Sequence, residues 1–283
     1  MEPSEPEITP DMDARLRTVE ERFSTRITMS VPDRHNPRLH QVIEHINSDD
    51  DLYALWLAAN VNAMERLGMT DHGPVHVKIV MNIAVRMLRL LVDAGVPTSV
   101  MTNWGMESAD AEVVVALAAL LHDVGMSIHR AGHEDFSLFL ADRKLREILP
   151  AVYDARTAVV LRSEVLHAII AHRSGGSPLT LEAGVVRIAD ALDMAKGRSR
   201  IPFEAGSLSI HSISAAAIET VRLERGEERP IRIVVEMGNS AGVFQLDQLF
   251  RDKLKGSGLE PYLEVEAKLE GETEKRLVKQ YRL

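Results

Sequence analysis

From residue 13 to residue 195 the apolar side chains recur at the three- and four-residue spacing of amphipathic helices; from about residue 201 they alternate with polar ones. The first pattern predicts helices over Asp13–Phe23, Arg38–Ile46 and Leu52–Leu67. The turn Gly68–Gly73 (GMTDHG) leads to Pro74, which suits the first position of a helix running to about Ala94 and stopping at Gly95. In that helix His76 lies in line with Val80, Ile83, Met87 and Leu91, so its imidazole faces the core. Ala111–Met126 (AEVVVALAALLHDVGM) is a nearly all-apolar helix, with Ser108 as N-cap, Asp110 and Glu112 in its first turn and Gly125 as its end. Further helices span His133–Ile148, stopped by Pro150, and Asp154–Arg173, with His172 on the face of Val165, Ala168 and Ile169. After the loop SGGSP, Thr180 caps a helix over Leu181–Ala195, closed by Gly197. Asp190 flanks its stripe of Leu181, Val185, Ile188, Ala189 and Leu192.

The alternating pattern predicts strands at Leu208/Ile210, Val221/Leu223, Ile231/Ile233/Val235 and Leu263/Val265/Ala267/Leu269. An amphipathic helix, Val243–Leu254, lies between them, and Gly271 falls in a terminal hairpin. The expected fold class is therefore mainly α: a helical bundle followed by a small α+β domain. Residues 1–12, acidic and Pro-containing, read as a disordered leader, 13–200 as an all-α domain and 201–283 as the C-terminal α+β domain. There is no internal repeat.

Composition narrows the chemistry. With 283 residues and 45% hydrophobic side chains, the chain can bury one large core or a domain plus a smaller one. Cysteine is absent, which excludes disulfides, thiolate metal sites and cysteine nucleophiles; eleven His remain as ligands beside Asp and Glu. The net charge of −9 disfavours nucleic acid as a partner. The longest strictly apolar run, Val113–Leu121, is too short to span a bilayer, and the N-terminus is the opposite of a signal peptide. A cytoplasmic protein without membrane association is expected.

The candidate chemistry starts at His122–Asp123, the end of the apolar helix. An unpaired buried carboxylate costs several kcal/mol or takes up a proton. A divalent cation would make the pair tolerable, because neutral imidazole and ionised carboxylate are both good ligands. In chain order, His76, His122, Asp123, His133, His172 and Asp190 lie inward or at helix ends, and bundles build metal sites from facing helices in this way.

The order His … His-Asp … Asp resembles the HD superfamily of metal-dependent phosphohydrolases. It is carried by His76 in HVKIV, His122–Asp123 in LLHDVGM and Asp190 in IADALDM, within roughly residues 70–195. The His of GHEDFS and of AIIAHR resemble those of its binuclear branch. The resemblance implies that His76, His122, Asp123 and Asp190 hold a first metal, and that Asp123 bridges to a second completed by His133 and His172. Asp123, His133 and His172 are then the candidate catalytic residues. One or two ions of Mn, Fe, Co or Mg would serve, since no sulfur ligand exists. Two cations clamp the attacking and leaving oxygens of a phosphoryl displacement and acidify a water. Positive groups must surround the equatorial oxygens, and Arg173, Lys196, Arg198 and Arg200 are the candidate substrate-binding residues. The HDxxED pattern of alarmone hydrolases and the GYP signature of cyclic-dinucleotide phosphodiesterases are both missing. These departures leave the individual substrate open, and the expected class is a phosphate ester, a nucleotide or another small phosphorylated metabolite.

Plainer roles compete for several residues. His167, about 140° round the helix from His172, is structural or outer-shell. His72 and His76 mimic HxxxH, but Gly73–Pro74 sets His72 before the helix and no HExxH glutamate is present. Asp193, one turn past Asp190, is either a ligand-orienting group or a solvated one. Glu134 and Asp135 read as support for the start of their helix. Rival functions are a di-iron oxygenase on the same six ligands, a regulatory module binding a phosphorylated ligand without turnover, and a nuclease. For the C-terminal domain, gating, effector binding and a homo-oligomer interface all stay open.

Overall fold

The computed structural model describes residues 18–32, 35–173, 175–194 and 217–269. Its helices are α1 (Val19–Ser24), α2 (Pro37–Ser48), α3 (Asp50–Asn60, continued by a π turn, Val61–Arg66), α4 (Pro74–Asp93) and α5 (Ser99–Trp104). They continue with α6 (Ser108–Leu121), α7 (His133–Ile148), α8 (Ala155–Ala171) and α9 (Leu181–Leu192). A three-stranded sheet follows: β1 (Ile218–Arg225), β2 (Ile231–Met237) and β3 (Leu263–Leu269). Between β2 and β3 runs α10, made of Gly242–Phe244, a π turn Gln245–Phe250 and Arg251–Leu254.

Helix α6 is the axis of the bundle. From Val113 to Leu121 every side chain is buried, because α2, α4, α5, α8 and α9 surround it. Trp56 of α3 donates its indole N–H to the Leu120 carbonyl at 2.8 Å, satisfying one of the four carbonyls a helix end leaves free.

In the sheet, β1 and β2 are antiparallel, and β2 and β3 are parallel with Ile231 opposite Leu263. A parallel pair requires a crossover, and α10 is that crossover. Ile231, Ile233, Val235 and Met237 alternate into the same apolar core as the helices. The mainly helical fold with a C-terminal α+β unit is as expected, and the description all-α holds only before the sheet. No helix among the described residues is long and apolar enough to cross a membrane.

Some local expectations need correction. The N-cap of α6 is Glu107, not Ser108: Glu107 and Asp110 form a reciprocal capping box, and Ser108 is the first helical residue. Gly125 does not close the helix, which ends at Leu121 with His122 as C-cap. It lies in a 3₁₀ turn, Val124–Ser127, where a Cβ would stand 2.0 Å from the His133 carbonyl. Glycine is there to let the turn touch α7. Helix α5, six residues long, has no counterpart in the apolar periodicity. The last helix of the bundle stops at Leu192 with Asp193 as C-cap, short of the expected end at Ala195 and Gly197. The expected leader, the strand at Leu208/Ile210 and the hairpin at Gly271 lie outside the described residues.

Candidate metal centre

Five helices bring an end to one point. His76 comes from the first turn of α4, whose start is fixed by Asp71 accepting the backbone N–H groups of Gly73 and His76, each at 3.1 Å. His122 and Asp123 follow α6 directly, where Ser137 of α7 donates its hydroxyl to the His122 carbonyl and accepts the Gly125 N–H. Asn62 donates to the carbonyls of Met126 and Ser127 and holds the turn from the other side. His133 opens α7, His172 is the C-cap of α8, and Asp190 lies in the last turn of α9. All six side chains are buried or nearly so, with Asp190 the most open at 17% exposure.

The donor atoms form two sets that share Asp123. Its Oδ2 lies 3.5 Å from His76 Nε2 and 3.4 Å from His122 Nε2, and those two nitrogens are 3.2 Å apart. Asp190 Oδ1 completes the set at 3.5 Å from His76 and 3.7 Å from His122. The other oxygen, Asp123 Oδ1, lies 3.1 Å from His133 Nε2 and 3.8 Å from His172 Nε2.

Hydrogen bonding fixes which nitrogens are free. His76 Nδ1 donates to Asp193 Oδ2 at 2.6 Å, and His122 Nδ1 donates to the Ala119 carbonyl at 2.8 Å. Each Nε2 therefore offers a lone pair, and the two lone pairs face each other. Only a proton or a metal cation between them removes the repulsion. Donors about 2.1 Å from a cation stand about 3.0 to 3.4 Å apart, according to whether the bonds meet at right angles or tetrahedrally. The observed separations run from 3.2 Å, inside that range, to 3.7 Å, slightly wider than it. His172 Nδ1 likewise donates to the Ile169 carbonyl, leaving Nε2 for the second set.

The site's electrostatics agree. Burial disfavours a charge on His122, but Asp123 and Asp190 outweigh it and raise the imidazole to about 10. A proton thus takes a cation's place when no metal is bound. Burial pushes both carboxylates up, yet His122 holds Asp123 well below the usual range, as Lys253 and His122 hold Asp190. His172 is depressed to about 3 by burial, reinforced by the charges of His122 and Lys253.

His76, His122 and Asp190 form one group able to hold a metal ion, and His122, Asp123 and His172 form another; His133, Glu134 and His172 form a third. The donors expected from the sequence therefore come together. Glu134, expected only to support its helix, lies 3.2 Å from His133 Nδ1. Arg130, which the sequence did not flag, donates to that same nitrogen at 2.8 Å. The Arg130 carbonyl lies 3.0 Å from it as well, so His133 has partners for either tautomer. His72 packs its ring 5.6 Å from that of His76. His167 faces away and accepts the Leu179 N–H. Arg173 has an exposed side chain, and its carbonyl is held by Arg187. Lys196, Arg198 and Arg200 lie outside the described residues. The group most clearly missed is Lys253 of α10, whose ammonium reaches Asp190 Oδ2 at 3.3 Å and donates to the His172 carbonyl. One lysine in an amphipathic helix some sixty positions away carries no signal in the sequence.

Residues 75–195, the stretch that holds all six donors, match the family described as HD domain. The chain is also similar to an uncharacterised protein of Methanocaldococcus jannaschii. The two are 43% identical over 214 residues, 76% of this chain and 83% of that one. The donor order and the geometry agree with that family match, and the chain belongs to the HD-domain family, a superfamily of metal-dependent hydrolases.

Proposed function

We propose that the protein is a metal-dependent phosphohydrolase that cleaves a small phosphate ester, a nucleotide or another phosphorylated metabolite, with water as the nucleophile. The observation that carries this reading is the placement of Asp123, one oxygen toward His76 and His122 and the other toward His133 and His172. A carboxylate so placed would offer one oxygen to each of two hard cations. Such a pair, when bound, supplies Lewis acidity toward the attacking and leaving oxygens and lowers the pKa of water.

The chain's own residues set up that chemistry. His76, His122, Asp123 and Asp190 would hold the first ion, and Asp123, His133 and His172 the second, as Mn, Fe, Co or Mg. The carbonyls of Ala119 and Ile169 and the carboxylate of Asp193 hold three imidazoles in the tautomer that points Nε2 inward. His133 has a donor and acceptors at Nδ1, and its Nε2 lies 3.1 Å from Asp123 Oδ1, where the second ion would be held. Arg173, Lys196, Arg198 and Arg200 are proposed to face the phosphate.

The experiment is a panel of nucleotides and small phosphate esters incubated anaerobically with Mn-loaded protein, with release of phosphate or a shorter ester as readout. Turnover without dioxygen, abolished in Asp123→Ala, is the expected result. Turnover confined to an iron-loaded, aerobic sample would transfer the site to oxygenase chemistry, which uses iron's redox activity instead of its charge.

A further inference from the structure

Positions 184, 187 and 190 lie three residues apart along one face of α9, and each meets the C-terminal domain. At Gly184 a Cβ would stand 2.3 Å from the Ser257 carbonyl, so only glycine permits the approach. Arg187, 2% exposed, donates from Nε to the Lys253 carbonyl at 2.7 Å and from Nη2 to the Asp252 carbonyl at 3.1 Å. Its Nη1 holds the carbonyls of Arg173 and Gly176 in the loop after His172. Asp190 Oδ2 takes the Lys253 ammonium at 3.3 Å. These contacts set α10 in register on α9, so that one ammonium arrives beside the Asp190 oxygen turned away from His122.

An ammonium in that place would oppose a cation held by Asp190, since like charges at short range repel strongly where solvent is largely excluded. Its side chain is only 17% exposed, so water screens it poorly. The arrangement becomes favourable once an anion joins the site. A lysine has three N–H donors. Among the described residues the His172 carbonyl and Asp190 Oδ2 take two of them.

We propose that Lys253 is a substrate-binding residue of the site, delivered by the C-terminal domain, and that it donates to a phosphoryl oxygen of the bound ester. The inference rests on the phosphohydrolase reading and gives the C-terminal domain a part in the reaction that the HD-domain residues alone do not supply.

The test is calorimetric titration of inorganic phosphate into Mn-loaded, full-length wild type, Lys253→Met, Lys253→Gln and Lys253→Arg. A parallel titration of Mn into the metal-stripped proteins reads the metal site alone. Both neutral variants should bind phosphate about tenfold or more weakly, the scale of one charge-assisted hydrogen bond, and bind Mn at least as tightly as wild type. Lys253→Arg should keep most of the phosphate affinity. Lys253→Gln keeps a polar group and serves if Lys253→Met does not fold. Unchanged phosphate binding in a neutral variant overturns this inference and leaves the phosphohydrolase reading standing. Weakened Mn binding overturns it too, by making Lys253 a support for Asp190. A Mn-loaded wild type that takes up no phosphate overturns both.

Discussion

Asp193 holds the Nδ1–H of His76 at 2.6 Å and is itself buried. It fixes the ring's tautomer and orientation, as outer carboxylates of metal-ligating imidazoles do. Asp193→Ala should therefore weaken Mn binding about 10- to 100-fold and leave the helix content unchanged, read by Mn titration and far-UV circular dichroism. His122 carries the next prediction. Because Asp123 and Asp190 raise it to about 10, metal uptake at neutral pH must displace its proton. Calorimetry in buffers of different ionisation enthalpy should show about one proton released per chain, with apparent affinity rising about tenfold per pH unit. The six candidate donors were legible in the sequence because His and Asp stand out in apolar runs and at helix ends. Asp193 was half legible, its spacing from Asp190 allowing an orienting role or a solvated one. Lys253, Arg130 and Arg187 were not legible, since their roles depend on which backbone carbonyl or carboxylate the fold sets beside them.

At the scale of elements, the site depends on close approaches between helices. The turn after α6 touches α7 at Gly125, and a Cβ there would displace the His133 carbonyl or the Ser137 N–H. Gly125→Ala should cost about 1–3 kcal/mol, the usual range for overpacking, and should weaken the second cation more than the first, because α7 carries His133. A denaturant midpoint and a two-step Mn titration read the two effects. Arg187 is the corresponding pin on α9. Its guanidinium holds four backbone carbonyls and has no carboxylate at hydrogen-bonding distance among the described residues. Arg187→Met should lower stability by a few kcal/mol, about 1–3 for each carbonyl left buried without a donor. Long periodic helices such as α4, α7 and α9 were readable to within a few residues. Helix α5 is too short to show a period, and the turn after α6 was misread because glycine serves helix ends and tight contacts alike.

For the whole molecule, the buried site links stability to pH and metal. His122, raised to about 10, contributes stability to the metal-free protein below its unfolded value of 6.5; this is lost as pH rises through 10. His172, depressed to about 3, stays neutral while the unfolded chain takes up a proton, so stability falls as pH drops below 6.5. Asp123 and Asp190, held below 3.8, add a further loss in strong acid. The metal-stripped protein should melt highest near pH 6.5, and Mn should raise the melting temperature most on the alkaline side, where it takes the place of the proton. A thermal scan across pH with and without Mn checks both. At this scale, the helical bundle with its C-terminal strands was readable from the change of period near residue 201. That the sheet shares the bundle's core, and that α10 reaches the metal site, depend on long-range packing that no local pattern encodes.

The central claim is that Asp123 bridges two cations, and metal content after equilibrium dialysis against Mn tests it most directly. Elemental analysis should find about two ions per chain in the wild type and about one in His133→Ala, which keeps the set of His76, His122 and Asp190. About one ion in the wild type, unchanged in His133→Ala, would contradict the bridge and leave His133 and His172 as contacts beside a single metal.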